Sequence, residues 1–210
     1  MDQIIATKSE LGAPLVQSLF QDRRAQFVDR LGWDLCVSPE GLEIDEYDNE
    51  RTTFLVVREG QRHVGSCRVR PAAAGTMLID HFSQIFPGAP AFLHGQAGAL
   101  WELTRFCRSP NAGQDEAREM LVHLAEMLDD FRDANSITGY VAVVYPEIGR
   151  FLKRIGVRYI RIAVSEIDGR EAHLICITHC VALARHAAHR RRGAEFLRAA
   201  RASAPVARAA

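Results

Sequence analysis

Apolar residues recur at helical spacing in two long stretches of the chain. Residues 9–31 place Leu15, Leu19 and Phe27 on one side, which predicts a helix that ends at Gly32. Residues 114–134 predict the clearest helix, and its core stripe consists of Leu121, Leu124, Leu128 and Phe131. A third helix is predicted to begin at Pro146 and to end at Gly156.

Shorter apolar runs between these helices predict strands. Residues 53–58 and 63–70 form an adjacent pair around the turn 59–61, and further strands are predicted over 100–107, 137–145, 157–164 and 172–178. Residues 33–49 are predicted to form a long acidic loop, and 89–98 a loop rich in Gly, Ala and Pro. Residues 77–80 are a short apolar piece, followed by a helical turn at 82–86.

Strands alternate with helices, yet hairpin-like pairs occur early, so we predict an α/β fold with a mixed sheet and helices on both faces. No internal repeat or linker divides the chain, which predicts one domain over residues 1–180. Residues 181–210 are rich in Ala and Arg and predict a basic C-terminal helix or tail.

Charge and composition narrow the class of protein. Lys and Arg number 26, as do Asp and Glu, so the net charge suggests neither nucleic acid nor a membrane surface as the main partner. The first residues lack a secretory pattern, no run of about 18 apolar residues occurs, and the five scattered cysteines suggest reduced thiols, so we expect a cytoplasmic protein. Cys176, His179 and Cys180 lack a recognised metal-site spacing, so we predict no metal.

The acidic loop is the first candidate for chemistry. It carries Glu43, Asp45, Glu46 and Asp48 within six residues. Such a cluster is either a solvated loop or a surface that binds a cation, such as an ammonium or a sulfonium. The loop lacks the glycine and ligand spacing of an EF-hand.

Glu102 and Arg105 lie within the apolar strand LWELTRFC, where unpaired polar groups are costly to bury. They form either a structural salt bridge or part of a site. Residues three apart point to opposite faces of a regular strand, so a shared site requires a β-bulge or the strand end. A buried Glu beside a cleft has the raised pKa that a general base needs.

Other charged and aromatic residues remain open between structural and functional roles. Arg23 lies on the first helix, and Arg68 lies in mid-strand. Arg150, Lys153 and Arg154 share one helical face, which is either surface decoration or a docking site for an acidic partner. Phe27, Trp33 and Phe82 are core residues by default. Gly-rich nucleotide loops, HExxH and GxSxG are absent from the sequence.

Together these residues resemble the acyl-homoserine-lactone synthase family. The series runs through Arg23, Phe27 and Arg30-Leu31-Gly32-Trp33, then Glu43-x-Asp45-x2-Asp48, Gly65-x2-Arg68, Phe82 and Glu102-x2-Arg105-Phe106. The resemblance covers about residues 20–108 well and extends more weakly to about 178. It implies a fold similar to GNAT-type N-acetyltransferases: a three-layer αβα sandwich whose twisted, mixed β-sheet splays open to admit a pantetheine arm.

The resemblance also implies substrates. The donor is an acyl carrier protein or acyl-CoA thioester, and S-adenosylmethionine is a consumed substrate rather than a cofactor. Glu102 is the expected base for its amine, with Arg105, Asp45, Asp48 and Arg68 as the other catalytic candidates. The expected binding residues for S-adenosylmethionine are Arg23, Phe27, Trp33, Glu43, Asp45, Asp48, Arg68, Phe82 and Arg105.

The acyl pocket is expected to involve Ala142, Leu103, Phe106, Leu121 and Val144, and carrier docking to involve Arg150, Lys153 and Arg154. Ala142 falls where many makers of 3-oxo products have Thr, which favours an acyl chain without a substituent at C3. Two alternatives remain: another GNAT-type acyltransferase that uses acyl-CoA, and a non-enzymatic binding module with an acidic loop.

Overall fold

The computed structural model describes residues 1–95 and 99–180. The predicted tail at 181–210 lies outside the described residues. Seven strands are present: β1 (Asp2–Ala6), β2 (Thr53–Glu59), β3 (Arg62–Pro71), β4 (Leu100–Arg108), β5 (Gly139–Val144), β6 (Arg158–Ile167) and β7 (Arg170–His179). The α-helices are α1 (Ala13–Arg24), α2 (Met77–Asp80), α3 (Ala89–Gly95), α4 (Gln114–Ala134) and α5 (Pro146–Arg154).

The strands form one mixed sheet in the order β1-β2-β3-β4-β5-β7-β6. The β4–β5 pair is parallel, and the remaining pairs are antiparallel. Sequence pattern predicted the β2–β3 hairpin and the later strands, because each is a short apolar run bounded by turn residues.

Helices cover both faces of the sheet. On one face, α4 and α5 pack over inward residues such as Leu55, Tyr140 and Ile175. On the other face, α1 packs over Phe54 and Val56, while α2 and α3 pack over Val141 and Leu174. Because strand residues alternate between the faces, neighbouring residues of one strand enter different clusters. The three-layer α/β sandwich expected from the sequence is confirmed.

The sheet opens between its two parallel strands. Only Leu100, Trp101 and Glu102 of β4 pair with β5, although β4 continues to Arg108 and β5 to Val144. The later residues of the two strands diverge and leave a split in the sheet. Glu102 is the last paired residue of β4, so it lies at the point where the split begins.

Three segments differ from the expectations. Residues 89–95 form α3 rather than a loop, because Ala89 and Leu93 are buried against the sheet and Pro90 stands in the first turn, where it costs no hydrogen bond. Residues 77–80 form the short helix α2. The edge strand β1 was not predicted, because its burial is too irregular to give a period of two.

The first helix is not uniform. A short 3₁₀ turn at Lys8–Glu10 precedes α1, and the six residues Ala25–Arg30 that follow α1 wind as a π-helix. Gly32 then adopts a positive φ of 69°, which ends the helix as predicted. π-Helical turns are rare and occur often at functional sites. This turn carries Phe27 and ends just before Trp33.

Candidate active site

A β-bulge in β4 brings Glu102 and Arg105 to the same face of the sheet. Thr104 pairs with Arg68 and Cys107 pairs with Ser66, so two residues of β4 stand opposite one residue of β3. Arg105 takes the extra position, with a φ of 51°. A positive φ is uncommon for a residue other than glycine. The bulge that a shared site required is therefore present, and it re-aims Arg105.

Three arginines and three carboxylates form a buried network on this face. Arg23 comes from α1, Arg68 from β3 and Arg105 from the bulge. Their partners all come from the loop between the π-helix and β2: Glu43, Asp45 and Asp48. Three positive and three negative groups balance, so the network carries no net charge. Of the two alternatives left open by the sequence, the solvated loop is excluded for these three carboxylates, because their side chains are 12% exposed or less.

Arg23 uses all three of its nitrogens on carboxylates. Its Nε donates to Glu43 at 2.5 Å, and its two Nη atoms donate to the two oxygens of Asp48 at 2.8 and 3.0 Å. This bidentate fork is the strongest arrangement available to an Arg and a carboxylate. Arg23 thus ties α1 to the acidic loop, and each of its nitrogens already donates to a carboxylate.

Asp48 is the centre of the network. It accepts from Arg23, from Arg68 Nη1 at 2.8 Å and from the backbone N–H of Asp45 at 2.9 Å. Burial raises its pKa, but the charges of Arg23 and Arg68 outweigh burial and lower the pKa to about 2. Its side chain has no exposed surface. Asp48 therefore stays ionised at neutral pH and is enclosed by guanidinium groups.

Arg68 and Arg105 each have one nitrogen that donates to no oxygen among the described residues. Arg68 donates through Nε to Thr104 Oγ1 at 2.9 Å and through Nη1 to Asp45 and Asp48. Arg105 donates through Nε and Nη2 to Glu43. The remaining nitrogens, Arg68 Nη2 and Arg105 Nη1, face the sulfur of Met77 at 3.2 and 3.6 Å. A thioether is only a weak acceptor.

One carboxylate oxygen of Asp45 is buried without a hydrogen-bond donor among the described residues. Its Oδ1 accepts from Arg68 Nη1 at 2.5 Å and from the backbone N–H of Tyr47. Its Oδ2 lies 2.9 Å from Arg105 Nη2, yet it accepts no hydrogen bond from the described residues. Among the network carboxylates, Asp45 is also the most exposed, at 12%.

Glu102 lies beside this network, at the start of the split. Its two oxygens accept the backbone N–H groups of Met77 at 3.1 Å and Leu78 at 2.7 Å. Burial disfavours the charged carboxylate and raises the pKa of Glu102 to about 7, although both N–H groups and the charge of Arg68 oppose the shift. Both protonation states are therefore accessible near neutral pH, as a general base requires.

Of the three predicted aromatic residues, Phe27 and Trp33 lie beside the network. Phe27 and Trp33 stack on each other, with ring centroids 5.1 Å apart and planes inclined by only 9°. Phe27 is buried and Trp33 is 36% exposed, so the pair presents one aromatic face to solvent. The guanidinium of Arg105 lies 5.7 Å from the Phe27 ring centroid. Phe82 packs in the cluster beneath α2 and α3.

Four of the five predicted acyl-pocket residues belong to one cluster on the opposite face. Ala142 is buried there, and Leu103, Leu121 and Val144 pack against it. Phe106, by contrast, is 42% exposed within the bulge and lies outside that cluster. Glu102 thus faces one side of the sheet and the apolar residues face the other, with the split between β4 and β5 joining the two sides.

The predicted docking residues Arg150, Lys153 and Arg154 are all exposed on α5. α5 begins two residues after the end of β5. Cys67, Cys107, Cys176 and Cys180 are buried, and Cys36 is exposed. Within residues 1–95 and 99–180, no group of three His, Cys, Asp or Glu side chains is arranged to hold a metal ion.

Some site residues escaped sequence reasoning. Thr104, which orients Arg68, has the period-two spacing from Glu102 that places it on the same face, so alternation alone identifies it. Arg70 is the last residue of the predicted strand 63–70, and no role was predicted for it. It binds the backbone oxygens of Ala74 and Gly75 and thereby fixes the turn before α2. Met77 gave no signal, because an apolar residue in a short apolar run carries no functional pattern.

The fold and site define an α/β acyltransferase with a split sheet and a buried charge network. The model of the family described as autoinducer synthase matches residues 8–186. An acyl-homoserine-lactone synthase of Aliivibrio fischeri is 33% identical over 165 residues, which are 75% of this chain and 78% of that protein. The chain belongs to the autoinducer synthase family, and the enzyme class predicted from the sequence is confirmed.

Solved structures agree with this assignment. The structure of TofI in a ternary complex with an inhibitor and MTA has 26% identity and a TM-score of 0.67, and the match covers 87% of this chain and 96% of that one. The CoA-dependent acyl-homoserine lactone synthase BjaI, with SAM and isopentyl-CoA, has 19% identity, a TM-score of 0.71, and coverage of 90% and 88%. The second likeness concerns the fold alone. No helix in the described part of the chain is long and apolar enough to cross a membrane.

Proposed function

We propose that this protein makes N-acyl-L-homoserine lactones from S-adenosylmethionine and an acyl thioester. The observation that carries the proposal is Glu102: it is buried, its pKa is about 7, and it lies where the sheet begins to split, beside Arg68 and Arg105. The structures of TofI with MTA and of BjaI with SAM and isopentyl-CoA support these substrate classes.

The first step is amide formation. An α-amine with a pKa of about 7.7–8.0 is mostly protonated at pH 7, so a base raises its reactive fraction. Glu102, directly or through a water molecule, takes the proton from the substrate amine. The amine nitrogen then attacks the thioester carbonyl, the C–N bond forms, and the C–S bond breaks. The thiol of the donor leaves with a proton.

The second step is lactonisation. A carboxylate oxygen of the acylated intermediate attacks its γ-carbon, and the bond from that carbon to the sulfonium sulfur breaks. The products are the lactone and methylthioadenosine. The sulfonium is a neutral thioether after it leaves, so its electron pair returns to sulfur. This step requires only that the carboxylate be held in line with the γ-carbon.

The substrate carboxylate binds between Arg68 and Arg105. Each has one nitrogen that donates to no oxygen among the described residues, Arg68 Nη2 and Arg105 Nη1, whereas every nitrogen of Arg23 donates to a carboxylate. Asp45 Oδ2, which accepts no hydrogen bond from the described residues, is the acceptor for the substrate amine. Asp48 and Glu43 act through the arginines they hold, since both are fully enclosed. Trp33 and Phe27 cover the adenosyl sulfonium, and Phe82 supports the same face.

The acyl chain enters the split from the α4 face, toward Ala142, Leu103, Leu121 and Val144, with Phe106 at the rim. The donor is an acyl carrier protein, and the exposed Arg150, Lys153 and Arg154 dock its acidic surface. BjaI, which is named CoA-dependent, is the reason to test acyl-CoA as the second donor class. We place the enzyme in the cytoplasm, where both substrates are made, and we propose no metal or bound cofactor.

Product analysis tests the proposal. The purified protein is incubated with S-adenosylmethionine and a series of acyl carrier protein and acyl-CoA donors, and mass spectrometry follows lactone and methylthioadenosine. The expected result is equal amounts of both products with at least one donor. Amide formation without methylthioadenosine would instead indicate an ordinary N-acyltransferase. The absence of turnover with every donor would overturn the proposal.

A further inference from the structure

Met77 is the residue that the proposed reaction does not use, although it lies at the centre of the site. Its sulfur contacts Arg68 Nη2 at 3.2 Å and Arg105 Nη1 at 3.6 Å. Its own backbone N–H donates to Glu102. One residue thus touches both arginines that have a nitrogen to spare and the candidate base.

The sulfur of Met77 differs from the other hydrogen-bond acceptors of Arg68 and Arg105. Every other nitrogen of Arg68 and Arg105 that hydrogen bonds within the described residues meets an oxygen, and most meet a carboxylate. The thioether of Met77 is a weak, uncharged acceptor. Two guanidinium N–H groups that converge on one weak acceptor form a ready site for a carboxylate, because charge-assisted hydrogen bonds are about twice as strong as neutral ones.

We infer that Met77 is a specificity-determining residue whose side chain occupies the carboxylate position of the S-adenosylmethionine site and is displaced when that substrate binds. This inference rests on the proposed function. Methionine suits the role because its side chain is unbranched, has three rotatable bonds and can move without large strain. A small weak acceptor keeps the arginine pair apart from stray anions, yet an incoming carboxylate outcompetes it.

The Met77 side chain and the substrate carboxylate therefore compete for the same two guanidinium nitrogens. The apparent affinity for substrate equals the intrinsic affinity multiplied by the fraction of molecules in which the position is open. A stronger acceptor at position 77 lowers that fraction, and a side chain too short to reach the arginines raises it. Once substrate is in place, the chemistry at Glu102 is the same. Substitutions at position 77 should therefore change KM for S-adenosylmethionine more than kcat.

A series of variants tests the inference. Met77→Ala removes the occupant, and we expect a KM for S-adenosylmethionine about 3- to 10-fold lower than that of the wild type. Met77→Gln places an amide oxygen near the arginines and should raise KM several-fold. Met77→Glu places a carboxylate there and should raise KM tenfold or more, while kcat at saturating substrate stays within about threefold. Calorimetric titration with S-adenosylmethionine alone should show the same order in Kd.

Ile79→Ala is the matched control, because Ile79 also lies in α2 but packs into the apolar cluster beneath it. It should leave KM within about twofold of the wild type, even if it lowers stability. A purely structural role for Met77 predicts loss of kcat or of folded protein in all three variants, with no order in KM. A KM that rises in Met77→Ala would show that Met77 attracts the substrate, which also overturns the inference.

Lactone formation by the wild-type enzyme distinguishes a failure of this inference from a failure of the proposed function. Lactone formation by the wild type together with an unordered KM series would reject the displaced side chain alone. Absence of lactone with every donor would reject the proposed function, and the inference with it.

Discussion

The two sides of the split sheet are built on opposite principles. On the α1 side, six charged side chains pair with one another, at N–O distances of 2.5–3.2 Å. On the α4 side, Leu103 and Val144 lie beyond the paired part of β4 and β5 and pack in one apolar cluster. Charged groups must be fixed in advance because their reorganisation is costly. An alkyl chain needs only space and apolar surface.

This contrast predicts which property of the enzyme a substitution in each region changes. A change in the charged network removes a partner from a buried ion and acts on stability and catalysis together. A change in the apolar gap alters which acyl group fits. A change on the exposed basic face alters only the rate at which a carrier arrives. The following four predictions run from the largest expected effect to the smallest.

Asp48→Asn should have the largest effect. It leaves Arg23 and Arg68 without their shared carboxylate, and breaking a buried ion pair costs about 3–5 kcal/mol. Urea unfolding at pH 7 measures the loss. Glu59→Gln is the control, since the exposed pair of Glu59 with Arg62 should contribute about 1 kcal/mol or less. Equal losses of unfolding free energy in both variants would show that Asp48 is not the centre of the network.

The same variant has a defined pH dependence. The pKa of Asp48 is lowered from 3.8 to about 2, so its stabilising contribution is present above pH 3.8 and is lost as the pH falls through about 2. The difference between wild type and Asp48→Asn should therefore be constant from pH 5 to 7 and should narrow below pH 4. A difference that stays constant down to pH 2 would contradict the assigned ionisation.

Glu102→Gln should lower kcat by about 10²-fold or more, as expected when a general base is lost. In the wild type, kcat/KM should rise as the pH passes about 7, because the pKa of Glu102 is about 7 and its ionised form is the base. In the variant, only the rise that belongs to the substrate amine should remain. Near-normal turnover in Glu102→Gln would exclude Glu102 as the base.

Ala142→Thr and Ala142→Val test how the apolar side selects the acyl group. The two variants add nearly the same volume and differ by one hydroxyl. A single net hydrogen bond contributes about 0.5–1.5 kcal/mol, so Ala142→Thr should raise the preference for 3-oxo over unsubstituted donors by about 3- to 10-fold. Ala142→Val should not. Competition between the two donors, measured by mass spectrometry, gives the ratio. The same shift in both variants would show an effect of volume alone.

Lys153→Gln should have the smallest effect, a fall of about 2- to 5-fold in kcat/KM with carrier-protein donors at low salt. The deficit should vanish at about 1 M salt, where the Debye length is about 3 Å. Arg118→Gln is the control, because Arg118 is equally exposed but lies on α4. Equal losses in the two variants, or none in Lys153→Gln, would place the carrier elsewhere.

The sequence predicted much of this architecture. The period of apolar residues identified α4 to the residue and located β2, β3 and β4, because each buries one regular face. It failed for α3, where tertiary burial of Ala89 and Leu93 outweighs a composition typical of loops. It also failed for β1, which is too short and too exposed to show a period.

For the site, the sequence identified the charged residues but not their pairing. The spacing of Glu102 and Arg105 indicated that a shared site needs either a bulge or the strand end, since residues three apart on a regular strand point to opposite faces. Which carboxylate meets which guanidinium depends on how α1, β3 and the acidic loop pack, and local spacing holds no information on that. The same limit explains why the sequence did not show that Glu43 and Asp48 are buried.

The short pairing of β4 with β5 has a consequence for the protein between turnovers. Beyond Glu102, the inner edges of both strands carry backbone N–H and C=O groups that form no ladder with each other. Such an edge invites another extended chain to pair with it, and natural proteins usually block it. A pantetheine arm contains two amide groups and is extended, so it can add the missing ladder. On the proposed function, donor binding should then stabilise the fold and lower the tendency of these strand edges to aggregate.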